Sequence, residues 1–163
     1  MKYCAVFVIL LFPVSLSLAS CSKHDPFSDM NNVSDDDNPE YPINNHAVNT
    51  MKITIGSVVF IATLYDNPSV TQLKKRLPLT VAMAELNSNE KYYTLAEGLP
   101  ASGSYTGTIQ NGDLMLYGSN TLVLFYKSFS TSYRYTRLGR IDNPEGLEAA
   151  LGSGSITVTF ELE

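Results

Sequence analysis

"MKITIGSVVFIATLY", residues 51–65, decides the fold. "KITI" and "VVFIATLY" each alternate apolar with polar or small residues, and Gly56-Ser57 separates them. A two-residue connection between alternating runs predicts an antiparallel hairpin. The pattern recurs to the end of the chain. "LPLTVAMAEL" predicts a strand with Leu79, Val81 and Met83 on one face. "GDLMLYGSNTLVLFY" predicts a second hairpin, turning at Gly118-Ser119-Asn120. "SYRYTRLGRI" reads as a strand. "SITVTFELE" is the cleanest: Ile156, Val158, Phe160 and Leu162 are expected inward, and Thr157, Thr159, Glu161 and Glu163 toward water.

Two helices interrupt the strands, in "YDNPSVTQLKKRLP" and "IDNPEGLEAALG". Asn67 and Asn143 are the expected N-caps, with Pro68 and Pro144 in the first helical position. Val70, Leu73 and Leu77 form one apolar stripe, and Leu147, Ala150 and Leu151 the other. Pro78 and Gly152 are the expected stops. The expected fold class is mainly β: a closed β-barrel of about eight strands with two short capping helices, over residues 51–163. Closure removes the exposed sheet edges that such a sequence would otherwise carry.

Upstream the composition changes. Residues 1–20 read as a secretory signal: Lys2, an apolar run from Cys4 to Leu18 broken by Pro13, then Ala19 and Ser20. Leu18-Ala19-Ser20-Cys21 resembles the bacterial lipobox, which implies a lipidated Cys21 at the mature N-terminus and attachment to a membrane. A plain secreted protein is the other reading of the same small residues. Residues 21–50 read as a disordered acidic tether, with Asp25, Asp29, Asp35, Asp36, Asp37 and Glu40 against Lys23. A coil of that length spans ~30 Å. Ser22 is not the aspartate that tends to retain lipoproteins in an inner membrane. The expected location is therefore the bacterial cell envelope, on the outer membrane, at its periplasmic or surface face. His24 and His46 fall in the tether, and the only cysteines are Cys4 and Cys21, so no thiol pair remains to form a disulfide.

The order of "MKITIGSVVFIATLYDNPSV", "LPLTVAMAEL", "GDLMLY", "LFYKSF" and "LGRID" resembles the small bacterial cyclophilin-like domains, across 51–163. That resemblance implies a compact cyclophilin-type barrel capped by two helices. The family mostly has no assigned activity, and some members sit beside or are fused to flavin-type redox proteins. Peptidyl-prolyl isomerases of the true cyclophilin kind use an arginine, a glutamine, aromatics, a tryptophan and a histidine. Residues 51–163 contain no Trp and no His, so the resemblance carries the fold rather than that catalytic set.

The same absences narrow the chemistry. Without His or Cys past the tether, a Ser-His-Asp triad, a cysteine nucleophile and a Cys/His zinc site are unavailable. No phosphate-cradling loop occurs, and no cofactor or metal is expected. Ten acids against nine bases in 51–163, behind an acidic tether, argue against nucleic acid. Paired carboxylates stay available, but no spacing singles out a pair.

The candidate site is "TLVLFYKSFSTSYRYTRLGRID", residues 121–142, with five aromatic rings and three arginines. Two readings stay open: the lining and solvated rim of a barrel, or a ligand groove. In a groove, Arg137 and Arg140 are the expected binders of an anion or carbonyl, with Tyr117, Phe125, Tyr126 and Tyr133 as the apolar wall. Three functions follow. The first is a non-enzymatic module binding a peptide, protein or small molecule. The second is a weak peptidyl-prolyl isomerase, which needs no nucleophile, only desolvation and a donor to the imide. The third is a passive part of an envelope assembly.

Overall fold

The structure, a computed structural model, describes residues 49–163; the expected signal, Cys21 lipidation and most of the tether lie outside the described residues. Nine strands and two helices follow in the order β1 (Thr50–Ile55), β2 (Val58–Leu64), α1 (Pro68–Lys74), β3 (Leu79–Leu86), β4 (Glu90–Thr94), β5 (Ser104–Ile109), β6 (Asp113–Tyr117), β7 (Thr121–Phe125), β8 (Phe129–Ile141), α2 (Leu147–Leu151) and β9 (Ile156–Leu162). Hydrogen bonding runs β2-β1-β9-β3-β4-β7-β6-β8-β5, and β2 also pairs with β8. Eight strands thus close into a ring, and β5 lies outside it as an extra strand on β8. All of these pairings are antiparallel.

Ring closure depends on one close approach. Ala62, Thr63 and Leu64 of β2 pair with Ile141, Arg140 and Gly139 of β8. A β-carbon on Gly139 would sit 2.8 Å from the Thr63 carbonyl oxygen and 3.0 Å from Leu64 Cδ2. Only glycine lets the two backbones meet there.

The interior holds one large apolar cluster that includes Met51, Ile53, Phe60, Val81, Met83, Leu114, Leu124, Val158 and Phe160. Each such fully buried side chain contributes about 1.5–3 kcal/mol. Both helices deliver side chains to it: Val70 and Leu73 from α1, Leu147 and Leu151 from α2. The expected α1 start is present, since the Asn67 side chain accepts from the Val70 N–H at 3.0 Å and Pro68 opens the helix. The second helix starts later than expected. Gly146 takes φ +79° and serves as N-cap, while Asn143 Oδ1 accepts from Glu145 N at 3.2 Å. A left-handed residue cannot continue a helix, so Asn143-Pro144 makes a turn instead of the helix entry. In β9, Val158 and Phe160 are buried as expected, whereas Leu162 near the strand end is 42% exposed.

A second apolar cluster lies on the other face of the wall. Ile109, Met115, Val123, Phe125 and Tyr135 are buried together, with Tyr92 and Phe129 packed against them. In β6, Leu114 and Leu116 belong to the interior cluster and Met115 to this outer one. The same division splits Leu122 and Leu124 from Val123 and Phe125 in β7. Both faces of these strands are therefore covered, which is why their sequences are almost continuously apolar. Among the described residues no helix is long and apolar enough to cross a membrane.

Candidate functional site

β8 is thirteen residues long and does two jobs. Its second half, from Tyr135 to Arg140, pairs with β6 and completes the ring. Its first half pairs with β5, from Ser104↔Tyr135 to Ile109↔Phe129. The last β6 partner is Tyr117, opposite Tyr135, so residues 129–134 run past the end of β6.

A cavity of about 490 Å³ lies where that overhang meets the outer face of β4, β6 and β7. Aromatic rings dominate its lining: Tyr92, Tyr117, Phe129, Tyr133 and Tyr135, with Val123 beside them. The rings form a connected series. Tyr133 packs edge-on to Tyr117 with centroids 6.0 Å apart, and Tyr117 lies 5.6 Å from Tyr135. Tyr135 meets Phe125 edge-on at 5.5 Å, and Phe125 meets Phe129 at 5.6 Å. Edge-to-face contacts of this kind add about 0.5–1.5 kcal/mol each beyond area burial. Tyr133 and Tyr117 stand at the open rim, 60% and 46% exposed.

The polar lining comes from the β3–β4 turn and from the overhang. Asn87 and Ser88 have φ of 55° and 56°, the left-handed pair that lets two antiparallel strands join in a tight turn. That turn brings Asn87 and Asn89 to the cavity, opposite the hydroxyls of Ser130, Thr131 and Ser132. Among the described residues Asn89 Oδ1 is buried without a hydrogen-bond partner.

Among the described residues Glu90 is the one acidic side chain in the lining, and no Lys, Arg or His accompanies it. It is only 9% exposed. Alternation along β4 turns Glu90 and Tyr92 outward and Lys91 inward. Burial first, and then the charge of Glu85, push its carboxyl above the usual carboxylate range. Burial also raises the Tyr135 hydroxyl to about 12, helped by the charge of Glu90.

The expected site residues divide among three places. Tyr117 and Tyr133 line the cavity, and Phe125 lies fully buried behind its wall, touching Phe129 and Tyr135. Tyr126 is elsewhere, on the interior side, where its hydroxyl donates to Glu85 Oε1 at 2.8 Å. The same Glu85 accepts from Lys91, whose ammonium also donates to the carbonyls of Gly152 at 2.8 Å and Gly154 at 2.6 Å. Burial alone would raise Glu85; the bonds from Lys91 and Tyr126 outweigh it and hold the carboxyl below its ordinary value. The Lys91 ammonium thus ties β4 to Glu85 of β3 and to the two carbonyls that follow α2, a structural role.

Arg137 and Arg140 lie outside the cavity. Arg140 Nε is 3.8 Å from Asp113 Oδ1, and it lines a separate cleft with Tyr65, Asp142 and Pro144. Asp113 is buried, which raises its carboxyl; a bond from Gln110 N and the charges of Arg140 and Arg137 oppose that rise. Strict alternation from residue 133 would put Arg137 and Arg140 on opposite faces. A bulge intervenes: Leu114 pairs with Gly139 but Met115 with Arg137, leaving Leu138 as the extra residue. Leu138 keeps the inward face that alternation gives it, and the bulge shifts the residues after it, bringing Arg140 opposite Asp113 on the outer face it shares with Arg137. Arg134 donates to the Gly103 carbonyl and stacks on Tyr105, 4.7 Å from ring centroid to Cζ. Among the described residues no group of three or more His, Cys, Asp or Glu side chains is placed to hold a metal ion.

The ring of eight strands, the helices that feed its interior and the family match agree. A model of the cyclophilin-like family matches residues 53–161. The chain belongs to the cyclophilin-like family. Among solved structures, it is similar to the solution structure of a hypothetical protein from Archaeoglobus fulgidus. The two share 18% identity and a TM-score of 0.51, over 74% of this chain and all of the other. At that identity the likeness is one of fold alone. No curated protein matches the sequence. The cyclophilin-like domain thus has its aromatic cavity on the outside of the ring, under the β8 overhang.

Proposed function

We propose that this protein is a non-enzymatic binding module: a cyclophilin-like domain, carried at the cell envelope by a lipidated Cys21, that receives a peptide or small molecule in its outer cavity. The observation that carries this reading is the cavity itself. Its volume falls in the range of small-molecule sites, and its mix of aromatic walls with a few polar groups is what such sites use. The lipobox-like Leu18-Ala19-Ser20-Cys21 and the acidic composition of residues 22–50 support the envelope location.

Prolyl isomerase activity is the second reading, and the placement of the arginines weighs against it. That reaction needs a donor at the imide, and neither Arg137 nor Arg140 lines the cavity. The test is nuclear magnetic resonance of the full chain against neutral, anionic and cationic compounds and short peptides, run beside a proline-peptide isomerisation assay. The expected result is shifts at Tyr117, Tyr133 and their neighbours with no gain over the uncatalysed isomerisation. Turnover that disappears in Arg137→Ala or Arg140→Ala would replace binding with catalysis. Shifts absent from the cavity for every compound would remove the binding reading.

A further inference from the structure

We propose that the outer cavity takes an organic ammonium group, supplied either by a small amine or quaternary ammonium compound or by a lysine side chain; this rests on the binding reading above.

The first argument is charge. Glu90 is more than nine-tenths buried and lines the cavity. Among the described residues its carboxylate has no hydrogen-bond donor and no cationic partner, and the neighbouring charge that acts on it is that of Glu85, of the same sign. The protein's nearby cation is already committed: Lys91 is held by Glu85 and two carbonyls on the interior side. A partly desolvated carboxylate with no cation beside it is costly, and a positive group brought into the cavity relieves it.

The second argument is the walls. Aromatic faces are negative, and a cation gains most from them when water is excluded. Tyr92, Tyr117, Phe129, Tyr133 and Tyr135 surround the same space as Glu90. A purely hydrophobic ligand would fit the rings but leave the carboxylate uncompensated; an anion would be repelled by both.

A third observation is independent of these. Among the described residues Asn89 Oδ1 is a buried acceptor without a donor, in the same lining. The N–H of a primary ammonium would supply that donor, whereas a quaternary ammonium meets the acid and the rings by charge alone.

The test uses calorimetry and resonance shifts on the full chain with choline and with 3,3-dimethylbutanol, its neutral isostere. Choline is expected to bind about tenfold or more tightly than the alcohol, the ratio that the Glu90 charge set among aromatic walls supplies. Glu90→Gln should lose most of that ratio while staying folded, because it removes an unpaired buried charge. Phe129→Leu should weaken choline several-fold and change the alcohol less. Butylammonium and acetyl-Gly-Lys-Gly-amide, the latter against its N-acetyl-lysine version, separate the sources. A peptide that binds better than butylammonium names a lysine side chain, the reverse order names a free amine, and either sustains the proposal. Equal affinity for choline and the alcohol, or an unchanged ratio in Glu90→Gln, would overturn the ammonium assignment and leave the cavity reading standing. Failure of charged and neutral probes alike would overturn both.

Discussion

Lys91 and Tyr126 grip the same carboxylate, that of Glu85, from the interior side of the wall. Their two bonds keep Glu85 ionised, and that charge acts on Glu90, which lies on the other face of the wall. A structural network inside the ring therefore adds to the burial that raises Glu90 in the cavity outside it.

Glu90 makes this visible as a pH dependence. Its ordinary value is 4.5, and burial together with Glu85 raises it in the folded state. The folded protein thus holds this proton more tightly than the unfolded chain does. The contribution is fully present below pH 4.5 and is lost as pH rises through the folded value. Glu90→Gln removes the loss. The variant is expected to match the parent near pH 4 and to exceed it by about 1 kcal/mol at pH 7, the scale of relieving one unpaired buried group. Urea unfolding at the two pH values checks this; a variant less stable than the parent at pH 7 would contradict it.

Lys91 predicts the opposite sense. Lys91→Met deprives Glu85, Gly152 and Gly154 of their shared donor while keeping the apolar stem. Removing one member of a buried pair costs about 3 kcal/mol. The double variant Lys91→Met/Glu85→Gln should recover part of it, because the stranded charge goes with it. A single-variant loss under about 1 kcal/mol by urea unfolding would show that the network contributes little.

Gly139 tests the closure of the ring. Alanine there would place its β-carbon 2.8 Å from the Thr63 carbonyl, and the backbones must separate. Gly139→Ala is expected to cost about 1–3 kcal/mol, the range for overpacking, read as a lowered thermal midpoint. Gly56→Asn, with nothing within 4 Å of its β-carbon and a residue that tolerates left-handed φ, should cost well under that.

The hairpins were legible because alternation and two- or three-residue turns fix register locally: Gly56-Ser57 lies between Ile55 and Val58 as the sequence predicts. β4 and β5 were not. "EKYYT" looks like a solvated segment, yet Glu90 and Lys91 are both buried, one on each face of the wall. "SYTGTI" is mostly exposed and gains its strand from pairing with β8 alone, which composition does not announce. For the candidate site, the aromatic stretch 121–142 overlaps the cavity lining, but the sequence does not show which other residues line it. Phe129 lies between the two expected strands, which end at Tyr126 and begin at Ser132, whereas β8 starts at Phe129 itself. Glu90 reaches the cavity only because β4 pairs with β7, Glu90 opposite Phe125, a long-range register that no local pattern encodes. Arg137 and Arg140 are expected ligand binders only if a groove holds them, with an ion pair of Arg140 to Asp142 as the other reading; the bulge at Leu138 instead sets Arg140 opposite Asp113. One signal was available. "DLMLY" and "TLVLF" are apolar at successive positions, which means cover on both faces and hence something packed outside the ring.

The most direct measurement is a choline titration of the full chain followed by the ring resonances of its tyrosines and phenylalanines. The account predicts saturable shifts at Tyr92, Tyr117, Phe129, Tyr133 and Tyr135, with Tyr65 and Tyr105 unmoved. Shifts centred on Tyr65 beside Arg140, or none at any of the five rings, would contradict it.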